Sequence, residues 1–179
     1  MPYTFLIGGA RSGKSALSSK MAARAGTPVT LIATAEAGDE EMAARIARHR
    51  AERPAGWATV EAPLALLDAV RAAPPGDFLI VDCLTLWVSN LLGQEATADA
   101  VLAAAGAVAQ ALADRPAPAV VVSNEVGLGL VPMSPLGREY RDLLGTVNTT
   151  FATRARRAAL LVAGHVHPLF SAADFLEEP

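Results

Sequence analysis

The sequence predicts an α/β fold: a mostly parallel sheet of about six strands with helices on both faces and a possible antiparallel edge strand. Three observations predict it. Short runs rich in Val, Ile, Leu and Phe recur at 3–8, 29–34, 57–62, 78–83, 119–125 and 159–164. Longer Ala-rich or amphipathic stretches separate them, so strand and helix alternate along the chain. The polar motifs fall at or just after strand ends, where ligands of open α/β sheets bind. With 179 residues, 52% of them hydrophobic and 18% charged, the chain suits one domain over 1–179 with a substantial core.

The elements follow in order. "YTFLIG" (3–8) is the first strand, and "SALSSKMAARA" after it reads as a helix that Gly26 terminates. "VTLIAT" (29–34) is the second strand. Asp39 can cap a helix through "EEMAARIARHRAER", which Pro54 stops. "WATVEA" (57–62) is a third strand, and "APPGD" (73–77) separates a helix from the fourth, "FLIVDC" (78–83). The Ala-rich stretch 97–114 is helical and is closed by Pro116 and Pro118, ahead of "AVVVSNE" (119–125). An amphipathic helix over 136–157 leads to "ALLVAG" (159–164), and "SAADFLEEP" reads as a terminal surface helix. His165 and His167 stand two apart, a spacing that can chelate a metal from a strand; without a third ligand they read as a strand end.

Bulk properties exclude several function classes. Formal net charge is −3 and the basic residues are clustered, which argues against a backbone-driven nucleic-acid binder and for local sites that take small anions. No apolar run is long enough for membrane insertion, and the start shows no basic leader or cleavage pattern, so a cytoplasmic location is expected. The lone cysteine, Cys83, lies in an apolar run and reads as a packed core residue.

"GGARSGKS" satisfies G-x-x-x-x-G-K-[ST] between a predicted strand and a predicted helix, the context that makes the pattern a phosphate cradle. Gly8, Gly9, Ala10, Arg11, Ser12, Gly13, Lys14 and Ser15 would wrap the phosphates of a nucleotide, because free backbone N–H groups and the helix dipole both favour an anion there. Lys14 would bridge the β- and γ-phosphates; Ser15, with Asp82 at the end of "FLIVDC", would hold Mg²⁺. The fold is thus P-loop NTPase-like.

The second constellation is "ARIARHRAERPAGW" (44–57), where His49 stands among Arg45, Arg48, Arg50 and Arg53. Residues four apart share a helix face, so Glu41, Arg45, His49 and Arg53 form a stripe with Glu52 beside it. A ring nitrogen there could act as a nucleophile beside cations able to hold a phosphate. A solvated helix of paired charges is the alternative, and spacing alone does not choose between them.

Five segments together resemble one family: "GGARSGKS", "EMAARIARHRAERPAGW", the "TLWVSNLL" after Asp82, "NEVGLGLVP" (124–132) and "REYRDLLGTVN" (138–148). The similarity is to the bifunctional adenosylcobinamide kinase / adenosylcobinamide-phosphate guanylyltransferase of cobalamin biosynthesis, from residue 4 to about 164; the tail departs from the pattern. The resemblance implies that ATP or GTP phosphorylates adenosylcobinamide, and that GTP then transfers GMP to adenosylcobinamide phosphate through a guanylylated histidine at His49. It also implies nucleotide contacts from residues 8–15, from Ala33, Thr34 and Ala35, from Arg50, Ala51, Glu52 and Arg53, and from Glu61 and Asp82. A homotrimer is implied too. Glu61 could read a guanine edge or be a solvated strand end. Asn124 and Glu125 could line the corrinoid or metal site or belong to a structural loop, and Arg138, Arg141 and Asp142 read first as packing. From the residues alone, a P-loop kinase of another small metabolite and a nucleotide-binding regulatory module stay open.

Overall fold

Alternate residues of the central strands supply two different cores. Phe5, Ile7, Leu79, Val81 and Val121 point to one face, while Leu6, Phe78, Ile80 and Val120 point to the other. Strands buried on both faces in this way belong to a parallel sheet covered by helices. The computed structural model describes residues 3–51 and 53–177, apart from the side chains of Arg45 and Glu177. Glu52, one of the expected nucleotide contacts, lies outside the described residues.

In chain order the elements are β1 (Thr4–Gly8), α1 (Lys14–Ala25), β2 (Val29–Ala33), α2 (Glu40–Ala51), β3 (Ala58–Glu61), α3 (Leu66–Ala72) and β4 (Phe78–Asp82). Then come α4 (Leu84–Gly93), α5 (Ala98–Ala113), β5 (Ala119–Val122), α6 (Pro135–Arg154), β6 (Arg157–Val162), β7 (His165–Leu169) and α7 (Ala172–Glu177). The sheet order is β3-β2-β4-β5-β1-β6-β7, and every neighbouring pair is parallel except β6 with β7. One face is packed by Leu66 and Val70 of α3, Trp87 of α4, Val108 and Leu112 of α5, and Leu144 and Phe151 of α6. Ala22 of α1 packs the other, with Leu17 and Met21 against it.

Among the described residues the sheet has seven strands, six parallel ones with the antiparallel edge expected above. That edge is β7, which runs through the two histidines read above as a strand end. Every residue of it is exposed and Pro168 sits inside it, so it carries neither the apolar run nor the unbroken ladder that marks an inner strand. The long helix also ends earlier than expected, because Arg157 already pairs with Thr4 and begins β6.

Caps set the helix starts. Asp39 Oδ1 accepts the Met42 N–H at 2.7 Å, Thr97 Oγ1 accepts from Ala100 at 3.3 Å, and Ser134 Oγ accepts from Gly137 at 3.1 Å. Arg115, buried after α5, donates to the carbonyls of Val70, Ala73, Pro74 and Asp77 and so holds the turn between α3 and β4. Burial lowers its pKa and Asp77 opposes that shift. No helix among the described residues is long and apolar enough to cross a membrane.

Candidate active site

Register places four strand ends in one row. Glu61 of β3 pairs with Ala33 of β2, Ala33 with Asp82 of β4, and Asp82 with Val122 of β5. The loop from β1 to α1 lies above that row, and a cavity of about 470 Å³ opens between them. This is the carboxyl edge of the parallel sheet, where helix N-termini also converge.

The phosphate loop is held rigidly. A Cβ at Gly8 would overlap the carbonyl oxygen of Leu161 in β6, so only glycine lets the two strands approach there. Gly13 caps α1 with φ 101°, a left-handed conformation that side chains resist. Ser12 is buttressed from outside: its carbonyl accepts the N–H of Gly164 at 3.0 Å. Gly164 and Ala163 form the two-residue turn of the β6–β7 hairpin, both with positive φ. This brace has no counterpart among the motifs of the sequence. Its signal was an Ala-Gly pair between two β-capable runs, obscured by the histidines.

Lys14 is 9% exposed. Its ammonium donates to Gly8 O at 2.6 Å, Gly9 O at 2.7 Å, Asn124 Oδ1 at 3.1 Å and Ser12 Oγ at 3.3 Å. Burial lowers its pKa, while Cys83 and Asp82 pull the other way. Asp82 and Ser15 both line the cavity. A carboxylate and a hydroxyl are hard oxygen donors of the kind Mg²⁺ takes together with phosphate oxygens, so the residues fit that ion. Among the described residues there is no cluster of three or more His, Cys, Asp or Glu able to hold a metal by itself.

The helix bearing His49 presents Met42, Ile46, His49 and Arg50 to the same cavity, and Arg53 just beyond its end joins them. This differs from the expected stripe of Glu41, Arg45, His49 and Arg53. Glu41 and Arg48 are exposed and outside the wall, and Met42 and Ile46 take the inward positions because the helix turns its apolar residues to the protein. Arg50 forms an ion pair with Glu61, each side chain about half exposed. Burial pushes Arg53 down from its ordinary pKa, Asp82 raises it and Arg50 lowers it further. Its Nη1 also lies 3.4 Å from Thr59 Oγ1.

Of the expected contacts, Ala10, Arg11, Ser12, Gly13, Lys14, Ser15, Ala33, Ala35, His49, Arg50, Arg53, Glu61 and Asp82 come together in the wall. Gly8, Gly9, Thr34 and Ala51 do not. Thr34 is fully buried; its hydroxyl donates to Cys83 O at 2.6 Å and accepts the Cys83 N–H at 2.8 Å, which fixes the end of β4. Cys83 is not the core residue its apolar run suggests. It sits instead at the start of α4, partly exposed and lining the cavity, with its pKa raised by burial and by Asp82.

Thr85, Leu86 and Val122 also line the wall, and spacing had not singled them out. Asn124 is there as well, whereas Glu125 serves the loop, accepting the Gly127 N–H at 2.6 Å. Arg138 donates to Pro132 O and Met133 O, and Arg141 pairs with Asp142, all outside this cavity. The two histidines of β7 are exposed, His165 Nδ1 facing Ala163 O at 3.0 Å.

Comparison with known proteins agrees with this fold and gives the family. Among solved structures, an ATPase from a bacterial type III secretion system superposes with a TM-score of 0.51 at 11% identity, over 99% of this chain and 54% of that one. That likeness shows the P-loop ATPase fold and no more. The bifunctional adenosylcobalamin biosynthesis protein CobP of Pseudomonas aeruginosa is 47% identical over 165 residues, 92% of this chain and 95% of its own length. The corresponding protein CobU of Escherichia coli is 38% identical over 89% of this chain and 94% of its own. The family model for cobinamide kinase / cobinamide phosphate guanyltransferase matches residues 4–169, and the chain belongs to that family.

Proposed function

We propose that this chain phosphorylates adenosylcobinamide with a nucleoside triphosphate and then joins GMP from GTP to the resulting phosphate, giving adenosylcobinamide-GDP and pyrophosphate. One observation carries the reading: a single cavity collects Lys14 and Asp82 with His49, Arg50 and Arg53. The first set suits phosphoryl transfer. The second suits a nucleophile with cations beside it.

In the first step Lys14 and the loop N–H groups stabilise charge on the γ-phosphoryl group while the sheet end positions the acceptor hydroxyl. Ser15 and Asp82 would hold Mg²⁺, which when bound neutralises phosphate charge. In the second step a His49 ring nitrogen attacks the α-phosphorus of GTP; the α–β P–O bond breaks and pyrophosphate leaves. The phosphate of the acceptor then attacks the phosphoramidate, and the P–N bond breaks to restore the ring. Arg50 and Arg53 are suited to hold the phosphates between these events. Glu61 would read guanine only by exchanging Arg50 for the base.

The two reactions occur at the γ- and α-phosphorus atoms, which the β-phosphate separates, so α2 or the nucleotide must shift between them. No described residue of α2 is fully buried, which supports a helix free to move. A homotrimer belongs to the same proposal, and the exposed Leu128, Leu130 and Met133 support a covered surface. The test uses GTP labelled at the α-phosphate. The wild type should retain label that is acid-labile and alkali-stable; His49→Ala should lose it together with guanylyl transfer, yet still phosphorylate the corrinoid. Equal loss of both activities in a folded variant would sink the division of roles.

A further inference from the structure

Asn124 follows β5 at the cavity wall with its backbone tied on both sides. Its N–H donates to Thr85 Oγ1 at 2.9 Å, and its carbonyl accepts from Asn148 Nδ2 at 3.2 Å. Asn148 is itself buried, its Oδ1 taking the Ser123 hydroxyl proton at 2.6 Å. Thr85 is braced in turn by the Tyr140 hydroxyl, which donates to its carbonyl at 3.1 Å. With the main chain held, only the side-chain torsions of Asn124 are left to be set.

One contact sets them. Asn124 Oδ1 lies 3.1 Å from Lys14 Nζ. An ammonium has donors only, so the amide oxygen must face it and the two Nδ2 protons must face away. Among the described residues no acceptor takes those protons, and Asn124 borders the space in front of the phosphate loop. A neutral amide also holds the ammonium without adding negative charge where an anion is to bind. A carboxylate in its place would neutralise Lys14 and repel phosphate.

We propose that Asn124 is a direct contact of the phosphoryl-transfer site: Nδ2 donates to the terminal phosphate of a bound nucleoside triphosphate while Oδ1 aims Lys14 at the same group. This rests on the nucleotide reading above and assigns the residue to the γ-phosphorus rather than to the α-phosphorus that His49 attacks. Charge builds on the transferring group during reaction, so the donor stabilises the transition state beyond the ground state.

The experiment compares the full-length wild type with Asn124→Ala and Asn124→Asp. Binding of the β,γ-imido analogue of GTP and of GDP is measured by calorimetry with Mg²⁺ present, and phosphorylation of adenosylcobinamide by turnover. Asn124→Ala should weaken the triphosphate analogue about tenfold, as for one lost hydrogen bond to a charged group, and leave GDP nearly unchanged. Asn124→Asp should be worse than Ala in both analogue binding and turnover. A purely structural role gives the opposite order, since Asp matches Asn in shape and still accepts from Lys14. Asp at or above Ala, or equal losses for GDP and the analogue, would overturn the assignment. If the wild type favours the analogue, the variants lose it as stated and adenosylcobinamide is not phosphorylated, only the acceptor reading fails; if the wild type binds no nucleotide, both readings fall.

Discussion

The two halves of the site are built to different standards. On one side the phosphate loop is fixed by Gly8 against Leu161, by Gly164 on Ser12, and by a buried Lys14 whose protons are taken by four oxygens. On the other, α2 has no fully buried described residue; the Asp39 cap, partial packing of Met42 and Ile46, and the half-exposed Arg50–Glu61 pair hold it. A fixed half can present phosphates in one geometry. On the proposed mechanism, a loosely held half could bring His49 to a different phosphorus atom of the same nucleotide. The contrast teaches that a nucleotide site need not be uniformly preorganised.

Three results would break or sharpen this contrast, from the largest effect to the smallest. Gly8→Ala drives a methyl group into a backbone carbonyl of β6 that cannot swing aside. Thermal or urea unfolding should show about 3 kcal/mol lost, and nucleotide binding should fail with it. Retained stability and binding would mean that the loop tolerates movement and the contrast is false.

Hydrogen exchange reads the two halves directly. The amides of α2 should exchange at least about tenfold faster than those of α1, whose Ala22 is buried against the sheet. Equal protection would show α2 to be as firmly docked as α1, and the movement proposed for His49 would lose its support. The smallest effect belongs to Glu61→Gln, which removes an ion pair with both partners half exposed. Stability should change by less than about 1 kcal/mol, while the exchange rate of α2 should rise. A loss several times larger in unfolding experiments would make this pair the true anchor of the helix.

Much of the fold was legible because its signals are local. Continuous apolar runs marked β1, β2, β4 and β5, and the strand–loop–helix context of "GGARSGKS" located the phosphate loop without any long-range information. Asp39 and Pro54 bounded α2 closely for the same reason. β7 was not legible. Its exposed, Pro-containing run becomes a strand only when β6 offers it a partner.

The site divides in the same way. Residue type, spacing and family resemblance single out Lys14, Asp82 and His49 as candidates. Their gathering in one cavity was not legible, since it depends on register: Glu61, Ala33, Asp82 and Val122 line up only through pairings between segments far apart in the chain. Of the stripe expected around His49, His49 and Arg53 line the cavity and Glu41 does not, because a four-residue rule ranks charges and ignores the pull of Met42 and Ile46 toward the protein. Thr34, Cys83 and Asn124 changed roles for a related reason: each is defined by a partner roughly 50 to 110 positions away, as Asn124 is by Lys14.

The sequence by itself determined the alternating architecture, the place of the P-loop motif at residues 8–15 and the identity of the family, since propensity, caps and motif spacing act over a few residues. Only the tertiary structure decided which side chains face one another across the cavity, where the amide of Asn124 points and how firmly each half is held. Those depend on strand register and burial, which arise when distant segments exclude water together.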